Sequence, residues 1–158
     1  MALAKIRTAG LVLMMLSAAL ARAAEPLQGR WLLVGQEIAG QKGEVDELTL
    51  RIIPSGQTLE FAYSVPVNNI QFVSLRFKVR PDGTEADVTN ANGKKVGTVK
   101  VTKSGALQYK VVLQGENKPT ASGTMTVSAD GKTLTSESES KQPGQSAVTR
   151  MVQVFARQ

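Results

Sequence analysis

Alternation of apolar and polar side chains is the feature that most constrains the fold of this chain. Apolar residues occupy every second position through three runs, Leu59–Val65, Val73–Val79 and Leu107–Leu113. Successive side chains of a strand point to opposite faces, so each run predicts a strand with one buried face and one wetter face. No window after residue 29 shows a convincing apolar stripe of helical period over ten or more residues. The pattern therefore predicts an all-β fold.

Short turn sequences separate these runs at fairly even intervals. Their Asn-Gly and Asp-Gly pairs supply the positive φ that tight hairpin turns require. The turns fall at residues 54–56, 81–83, 92–93, 104–105, 130–131 and 142–144. We predict strands near 30–38, 47–53, 57–65, 70–79, 84–89, 95–103, 106–114, 120–128, 132–139 and 146–156, with a turn or short helix over 39–44.

The links between the predicted strands are much shorter than the dozen or so residues that a parallel crossover needs. Neighbouring strands must therefore pair as an antiparallel up-and-down meander. A meander of about 8–10 strands in one small domain closes into a barrel more readily than it stays open, because closure removes unpaired edges. A sandwich of two sheets is the alternative architecture.

The N-terminus carries the three parts of a secretory signal peptide. Lys5 and Arg7 form a basic head, an apolar run follows over residues 9–20, and Ala21 and Ala23 make an Ala-x-Ala cleavage pattern. The apolar run of about twelve residues is shorter than the roughly 20 that span a bilayer. The chain has no cysteine that could carry a lipid. We therefore expect cleavage near Ala23 and no membrane span in the mature protein.

Removal of residues 1–23 would leave a single domain, residues 24–158, in the periplasm or the external medium. It would retain 16 basic and 13 acidic residues, a net charge of about +3 instead of the +6 of the whole chain. Nucleic-acid binding calls for a stronger basic balance with surface aromatic residues, and aromatic residues are only 4% of this chain. We therefore expect no nucleic-acid partner.

The chain contains neither histidine nor cysteine. Ser–His–Asp and Cys–His catalytic sites are therefore impossible, and the commonest general base and metal ligand are missing. The acidic residues Glu44, Asp46 and Glu47 lack the ligand offsets of a calcium loop, and the Ser-Glu alternation at 136–139 is typical of a solvated strand. We predict a protein that is not an enzyme and uses no cofactor or metal.

Two segments resemble known proteins. Gly29-Arg30-Trp31 opens the first predicted strand as Gly-x-Trp, the pattern found in the first strand of lipocalins, where the tryptophan closes the bottom of the barrel. The run Val-Ser-Ala-Asp-Gly-Lys-Thr-Leu-Thr at 127–135, ahead of the last predicted strand, resembles small exported bacterial lipocalin-like proteins that are mostly uncharacterised. The resemblance implies a lipocalin-like barrel. The further lipocalin signatures, a Thr-Asp-Tyr-like segment and a late arginine stacked on the tryptophan, are not evident in the sequence, although Arg150 and Arg157 could reach the position of that arginine.

Barrels of this strand number can enclose one small ligand. We therefore predict that the exported protein binds a small apolar or amphipathic molecule inside its barrel. Trp31 could alternatively be an ordinary core residue with its N–H bonded to the backbone. The candidate ligand-binding residues are aromatic: Trp31, Phe61, Tyr63, Phe77 and Tyr109.

A row of basic side chains occupies one face of the strand predicted at 70–79. On the inside, this row would suit a carboxylate-headed lipid. The opposite face is more apolar, so we expect that face to lie inside and the basic row to face solvent. The basic face contains Ile70, Phe72, Ser74, Arg76, Lys78 and Arg80, and the apolar face contains Val73, Leu75, Phe77 and Val79.

Two other functions compete with ligand binding. The first is an interaction module, such as a periplasmic protease inhibitor, that uses an N-terminal arm over residues 24–28 extending from the barrel. The second is a structural envelope protein, which predicts a filled interior and no ligand. An outer-membrane barrel is a weaker option, because these strands are too polar and too poor in aromatic residues for it.

Overall fold

Strands make up the regular structure of the described residues, which are 24–116, 120–141 and 146–158 of the chain in this computed structural model. No helix occurs within those residues, and hence none that could cross a membrane. The predicted signal peptide, residues 1–23, lies outside the described residues. The strands are β1 (Gly29–Ile38), β2 (Gln41–Lys42), β3 (Thr49–Ser55), β4 (Thr58–Val67), β5 (Ile70–Val79), β6 (Asp82–Asn90), β7 (Lys95–Lys103), β8 (Gln108–Gly115), β9 (Thr120–Val127), β10 (Thr133–Lys141) and β11 (Val148–Arg157).

All the strands join one antiparallel sheet, and from β3 to β11 each pairs with the next strand along the chain. The last strand, β11, pairs with β1 along Trp31–Ile38, and this pairing closes the sheet. Strand β11 occupies one edge of β1. The other edge of β1 is shared by β3 and the two-residue strand β2. The barrel therefore has ten strands, and β2 is a short extension at its rim. The predicted all-β meander closing into a barrel is confirmed. The sandwich alternative is wrong.

The segment over 39–44, predicted as a turn or a short helix, is a turn followed by β2. Ala39 and Gly40 form the turn, both with positive φ, at 52° and 81°. The loop that follows leaves Glu44, Asp46 and Glu47 exposed.

A one-residue bulge in β5 reverses the faces of the first half of this strand. Tyr63 of β4 pairs with Leu75, but the next residue, Ser64, pairs with Val73, so Ser74 is the extra residue. Side chains alternate with period two, and one extra residue therefore moves everything before it to the opposite face.

The facing predicted for β5 is right in its second half and wrong in its first half. Phe77 is buried, and the basic row is exposed to solvent. Val73, predicted inside, lies on the outer face, because it pairs with Ser64 and not with an inward residue. Ile70 and Phe72, predicted beside the basic row, extend the inner face past the rim, where they are 61% and 48% exposed. The exposed basic side chains are Arg76, Lys78 and Arg80.

One end of the barrel is filled with large side chains. In an up-and-down barrel the start of each strand lies beside the end of the next, so inward residues from ten strands meet at the same end. Trp31 is 0% exposed there and donates its indole N–H to the carbonyl oxygen of Leu27 at 2.9 Å. The rings of Phe61 and Phe77 stack with their centroids 4.6 Å apart. The largest fully buried side chains are Trp31, Tyr109, Phe61, Phe155, Leu27, Leu50, Ile52, Leu134, Val79, Val99, Val101 and Val127.

Arg157, near the end of β11, covers this filled end. Its guanidinium carbon lies 4.2 Å from the centroid of the Trp31 ring, which is a cation–π contact; the sequence had left open whether Arg150 or Arg157 could reach this tryptophan. The same guanidinium donates hydrogen bonds to the carbonyl oxygens of Pro26, Gln28 and Gly131. One side chain therefore joins the N-terminal segment, the β9–β10 turn and the last strand.

The N-terminal segment lies against the barrel and does not extend from it. Leu27 is 0% exposed, and the carboxylate of Glu25 lies 3.5 Å from the Lys103 ammonium. With Pro26 and Gln28 bonded to Arg157, the arm required by the protease-inhibitor alternative is folded onto the filled end. That alternative loses the free segment on which it depended.

Candidate ligand cavity

Above the filled end, the barrel contains a cavity of about 240 Å³. A water molecule occupies about 30 Å³ in the liquid, so the cavity corresponds to roughly eight waters. Most of its wall is apolar and comes from β5, β7, β8 and β9. The main apolar lining residues are Leu75, Phe77, Val99, Val111, Leu113 and Met125.

The cavity exists because β9 and β10 bring small side chains to the interior. Gly123 lies opposite Val111 on one side and Ser138 on the other, and Ala121 lies opposite Leu113. The two strands also approach closely: a Cβ atom at Gly123 would overlap the carbonyl oxygen of Glu137 and the Cα atom of Ser138. Small residues therefore leave space on the inner side while the backbones pack tightly.

Uncharged polar groups occupy one part of the wall. Ser136 pairs with Gln153 across β10 and β11, and Ser138 follows Ser136 on the same face; all three border the cavity. The Gln153 amide donates a hydrogen bond to the side-chain oxygen of Gln36 at 2.9 Å, and Gln36 donates to the Glu44 carbonyl oxygen at 3.3 Å. This chain of bonds orients the Gln153 amide at the cavity wall.

The charged side chains near the cavity lie on the outer side of its wall. Among the described residues that border the cavity, none is Lys or Arg, and Glu137 is the one with a carboxylate. That carboxylate lies 2.9 Å from the Arg150 guanidinium at a solvent-exposed position. Tyr63 also borders the cavity, and desolvation by burial raises the pKa of its hydroxyl to about 12. The interior therefore favours neutral groups.

The structure divides the five predicted ligand-binding residues between the two halves of the barrel. Tyr63 and Phe77 border the cavity. Trp31, Phe61 and Tyr109 belong to the filled end and are each 0% exposed. Trp31 therefore has the alternative role described for it above, that of a core residue whose N–H is bonded to the backbone. Contact of any of the five with a ligand stays a prediction.

Sequence reasoning missed the polar part of the wall. The alternation at 136–139 was interpreted as a solvated strand, and this is correct for Glu137 and Glu139, which are exposed. It is wrong for Ser136 and Ser138, because Leu134 is buried and residues two and four positions along share its inward face. Counting from Leu134 would have identified both serines.

Comparison with known proteins identifies the fold of the chain but assigns it to no family. No protein-family model matches the chain, and no curated protein matches it. Among solved structures, the chain is similar to apo lipid binding protein 8 of Caenorhabditis elegans, with a TM-score of 0.57 and 16% sequence identity over 86% of this chain and 98% of that chain. At this identity the similarity establishes the closed antiparallel barrel.

Proposed function

We propose that this protein is an exported, non-enzymatic carrier that holds a small apolar or amphipathic molecule inside its barrel. The observation that carries the proposal is the cavity of about 240 Å³ with a mainly apolar wall. Pockets for drug-sized ligands span roughly 300–1,000 Å³, so this ligand is smaller or is enclosed only in part. A similar barrel in a lipid binding protein of Caenorhabditis elegans supports this use of the architecture. Export rests on the signal-peptide pattern.

The structural envelope alternative predicts a filled interior. A cavity with a volume of roughly eight waters does not favour it. The interaction-module alternative needs a free N-terminal arm, and residues 25–28 are bonded to the barrel instead. Ligand binding is therefore the better supported of the three.

A matched pair of substitutions on β8 tests the proposal. Val111 borders the cavity, whereas its neighbour Val112 lies on the outer face and is 41% exposed. Val111→Phe places a ring in the cavity, and Val112→Phe places the same ring on the surface. We expect a neutral fluorescent probe, N-phenylnaphthylamine, to bind the wild type and Val112→Phe alike and to bind Val111→Phe at least about tenfold more weakly. The affinities would be measured by fluorescence titration.

Two results would contradict the carrier function: absence of probe binding to the wild type, or equal binding to both variants. Native mass spectrometry of the protein from its producing cells provides the second test. A mass that starts at Ala24 in the exported fraction, with a bound small molecule, supports both export and carriage. An uncleaved mass in the cytoplasm would overturn export.

A further inference from the structure

We infer that the cavity selects ligands with a neutral hydrogen-bonding head group, such as a hydroxyl or a carboxamide, over ligands with a carboxylate. This inference rests on the proposed carrier function and specifies its ligand class. It is carried by three of the uncharged polar groups of the wall, which are the Ser136 and Ser138 hydroxyls and the Gln153 amide.

These three side chains lie close together, and each can form a hydrogen bond to a neutral head group of a ligand. Ser136 and Gln153 are direct cross-strand neighbours, and Ser138 is two residues further along the same face of β10. A hydroxyl group donates and accepts, and an amide does both through different atoms. A ligand hydroxyl can therefore exchange its bonds to water for bonds to this group while its alkyl part contacts Leu75, Val111 and Met125.

None of the described residues that border the cavity is a Lys or Arg that could pair with a carboxylate at that place. The basic row of β5 lies on the outer face, where Arg76 is 3.9 Å from Glu60 and Lys78 donates to Ser55. Arg150 is paired with Glu137 outside the wall. Moving an ionised carboxylate from water to such a site without a counter-charge is strongly unfavourable, so the acid would enter in its protonated form.

The titratable groups that border the cavity within the described residues agree with this exclusion of charge. They are Tyr63 from β4 and Glu137 from β10. Burial holds the Tyr63 hydroxyl neutral, with its pKa raised to about 12. Glu137 is half-exposed and paired with the Arg150 guanidinium, so the two opposite charges offset each other and do not attract an incoming anion.

Competition between three ligands of equal chain length tests the selectivity. Octanol, octanamide and octanoic acid would each displace N-phenylnaphthylamine from the whole mature protein between pH 4 and pH 8. We expect octanol and octanamide to bind with the same affinity throughout. Octanoic acid should match them only when protonated and should weaken about tenfold per pH unit above its pKa, since each unit costs 1.36 kcal/mol.

Two variants test whether the selectivity arises from the polar side chains of the cavity wall. Ser138→Ala should weaken octanol binding several-fold while probe affinity is unchanged, because the apolar wall is intact. Glu137→Gln should leave the pH dependence of octanoic acid in place, which shows that the ligand's own carboxyl group is the one that titrates.

The outcomes separate the two proposals. Octanoate that binds as tightly as octanol at pH 8 overturns the selectivity while carriage stands. A protein that binds the probe but neither octanol nor octanamide also overturns the selectivity. A protein that does not bind the probe at all overturns carriage itself.

Discussion

Two tyrosine hydroxyls illustrate how position within the barrel decides what a residue does. Both tyrosines were predicted to bind ligand, and the sequence did not distinguish them. Tyr109 is fully buried at the filled end, and its hydroxyl has no hydrogen-bond partner among the described residues. Tyr63 borders the cavity instead. The first hydroxyl therefore bears on stability and the second on the chemistry of the cavity.

Removal of the Tyr109 hydroxyl should not destabilise the protein. A buried polar group without a partner costs about 1–3 kcal/mol, and Tyr109→Phe removes that group while keeping the ring and its contact with the Lys103 ammonium, 5.3 Å from the ring centroid. We expect an unchanged or higher free energy of unfolding, measured by urea denaturation. A loss above about 1 kcal/mol would show instead that the hydroxyl is bonded, for example to a buried water.

Tyr63 makes stability depend on alkaline pH. Its pKa is raised from 10.0 to about 12 in the folded protein, so the unfolded chain releases this proton first as the pH rises. This contribution to stability is complete below pH 10 and is lost between about pH 10 and 12, by at most about 3 kcal/mol. Lysine side chains titrate in the same range, so Tyr63→Phe is the comparison. The variant should lose less stability than the wild type between these pH values; parallel losses would contradict the assignment.

At the scale of elements, β9 and β10 determine whether the barrel has a cavity. The inward residues of β10 after Leu134 are serines, and the opposing inward residues of β9 include Gly123 and Ala121. Larger residues at these places would fill the interior, as they do at the other end. The close approach of these two strands, with Gly123 beside Ser138, is a property that the length and alternation of each strand do not reveal.

Gly123 should be intolerant of even one methyl group. Gly123→Ala forces the new Cβ into the backbone of β10, which must move, and overpacking of this kind costs about 1–3 kcal/mol. Gly35 of β1 is the matched control, because its nearest neighbour for an added Cβ is the Val154 side chain at 3.7 Å. We expect thermal denaturation to show a clearly lower midpoint for Gly123→Ala and little change for Gly35→Ala. Equal midpoints would mean that the strands can separate freely at Gly123.

At the scale of the whole molecule, the barrel closes where the two ends of the chain meet. β11 pairs with β1 at seven positions of β1 between Trp31 and Ile38, with a bulge at Val34. Arg157 then bonds to Pro26, Gln28 and Gly131 across this closure. Chain segments that are far apart in sequence are thereby held at one end of the molecule.

Arg157 should contribute more to stability than another arginine of the same strand. Arg157→Ala removes the stacking on Trp31 and three bonds to carbonyl groups, and we expect a loss of about 1–3 kcal/mol in chemical denaturation. Arg150→Ala removes an exposed pair with Glu137, for which losses below about 1 kcal/mol are usual. If the two variants were equally stable, Arg157 would be a surface residue without a role in closure.

Most of the fold could be predicted because strands and turns have local signals. The predicted strands agree with the observed bounds to within two residues, from β1 to β11, apart from the two-residue β2. The bulge at Ser74 was not predicted, because the alternation from Val73 to Val79 looks regular by itself. Its local signal is the change of phase from Ile70 and Phe72 to Leu75 and Phe77. The facing of Ile70, Phe72 and Val73 was wrong for that reason.

The candidate site was less predictable than the fold. Aromatic residues suggested a cavity wall, yet Trp31, Phe61 and Tyr109 pack into the filled end, and polar residues of β10 and β11 border the cavity. Whether an inward side chain fills space or borders it depends on the sizes of its neighbours across the barrel. Those neighbours come from strands that are not adjacent in sequence.

The sequence by itself determined the strands, the turns and the closure of a meander into a barrel, because alternation and turn chemistry act between residues close along the chain. It also contains the signal-peptide pattern on which predicted export rests. The tertiary structure alone decided which end is filled and where the cavity of about 240 Å³ lies. It also decided that Ser136, Ser138 and Gln153 meet at that cavity. These properties depend on register, bulges and the summed volumes of side chains from many strands, and no local pattern records them.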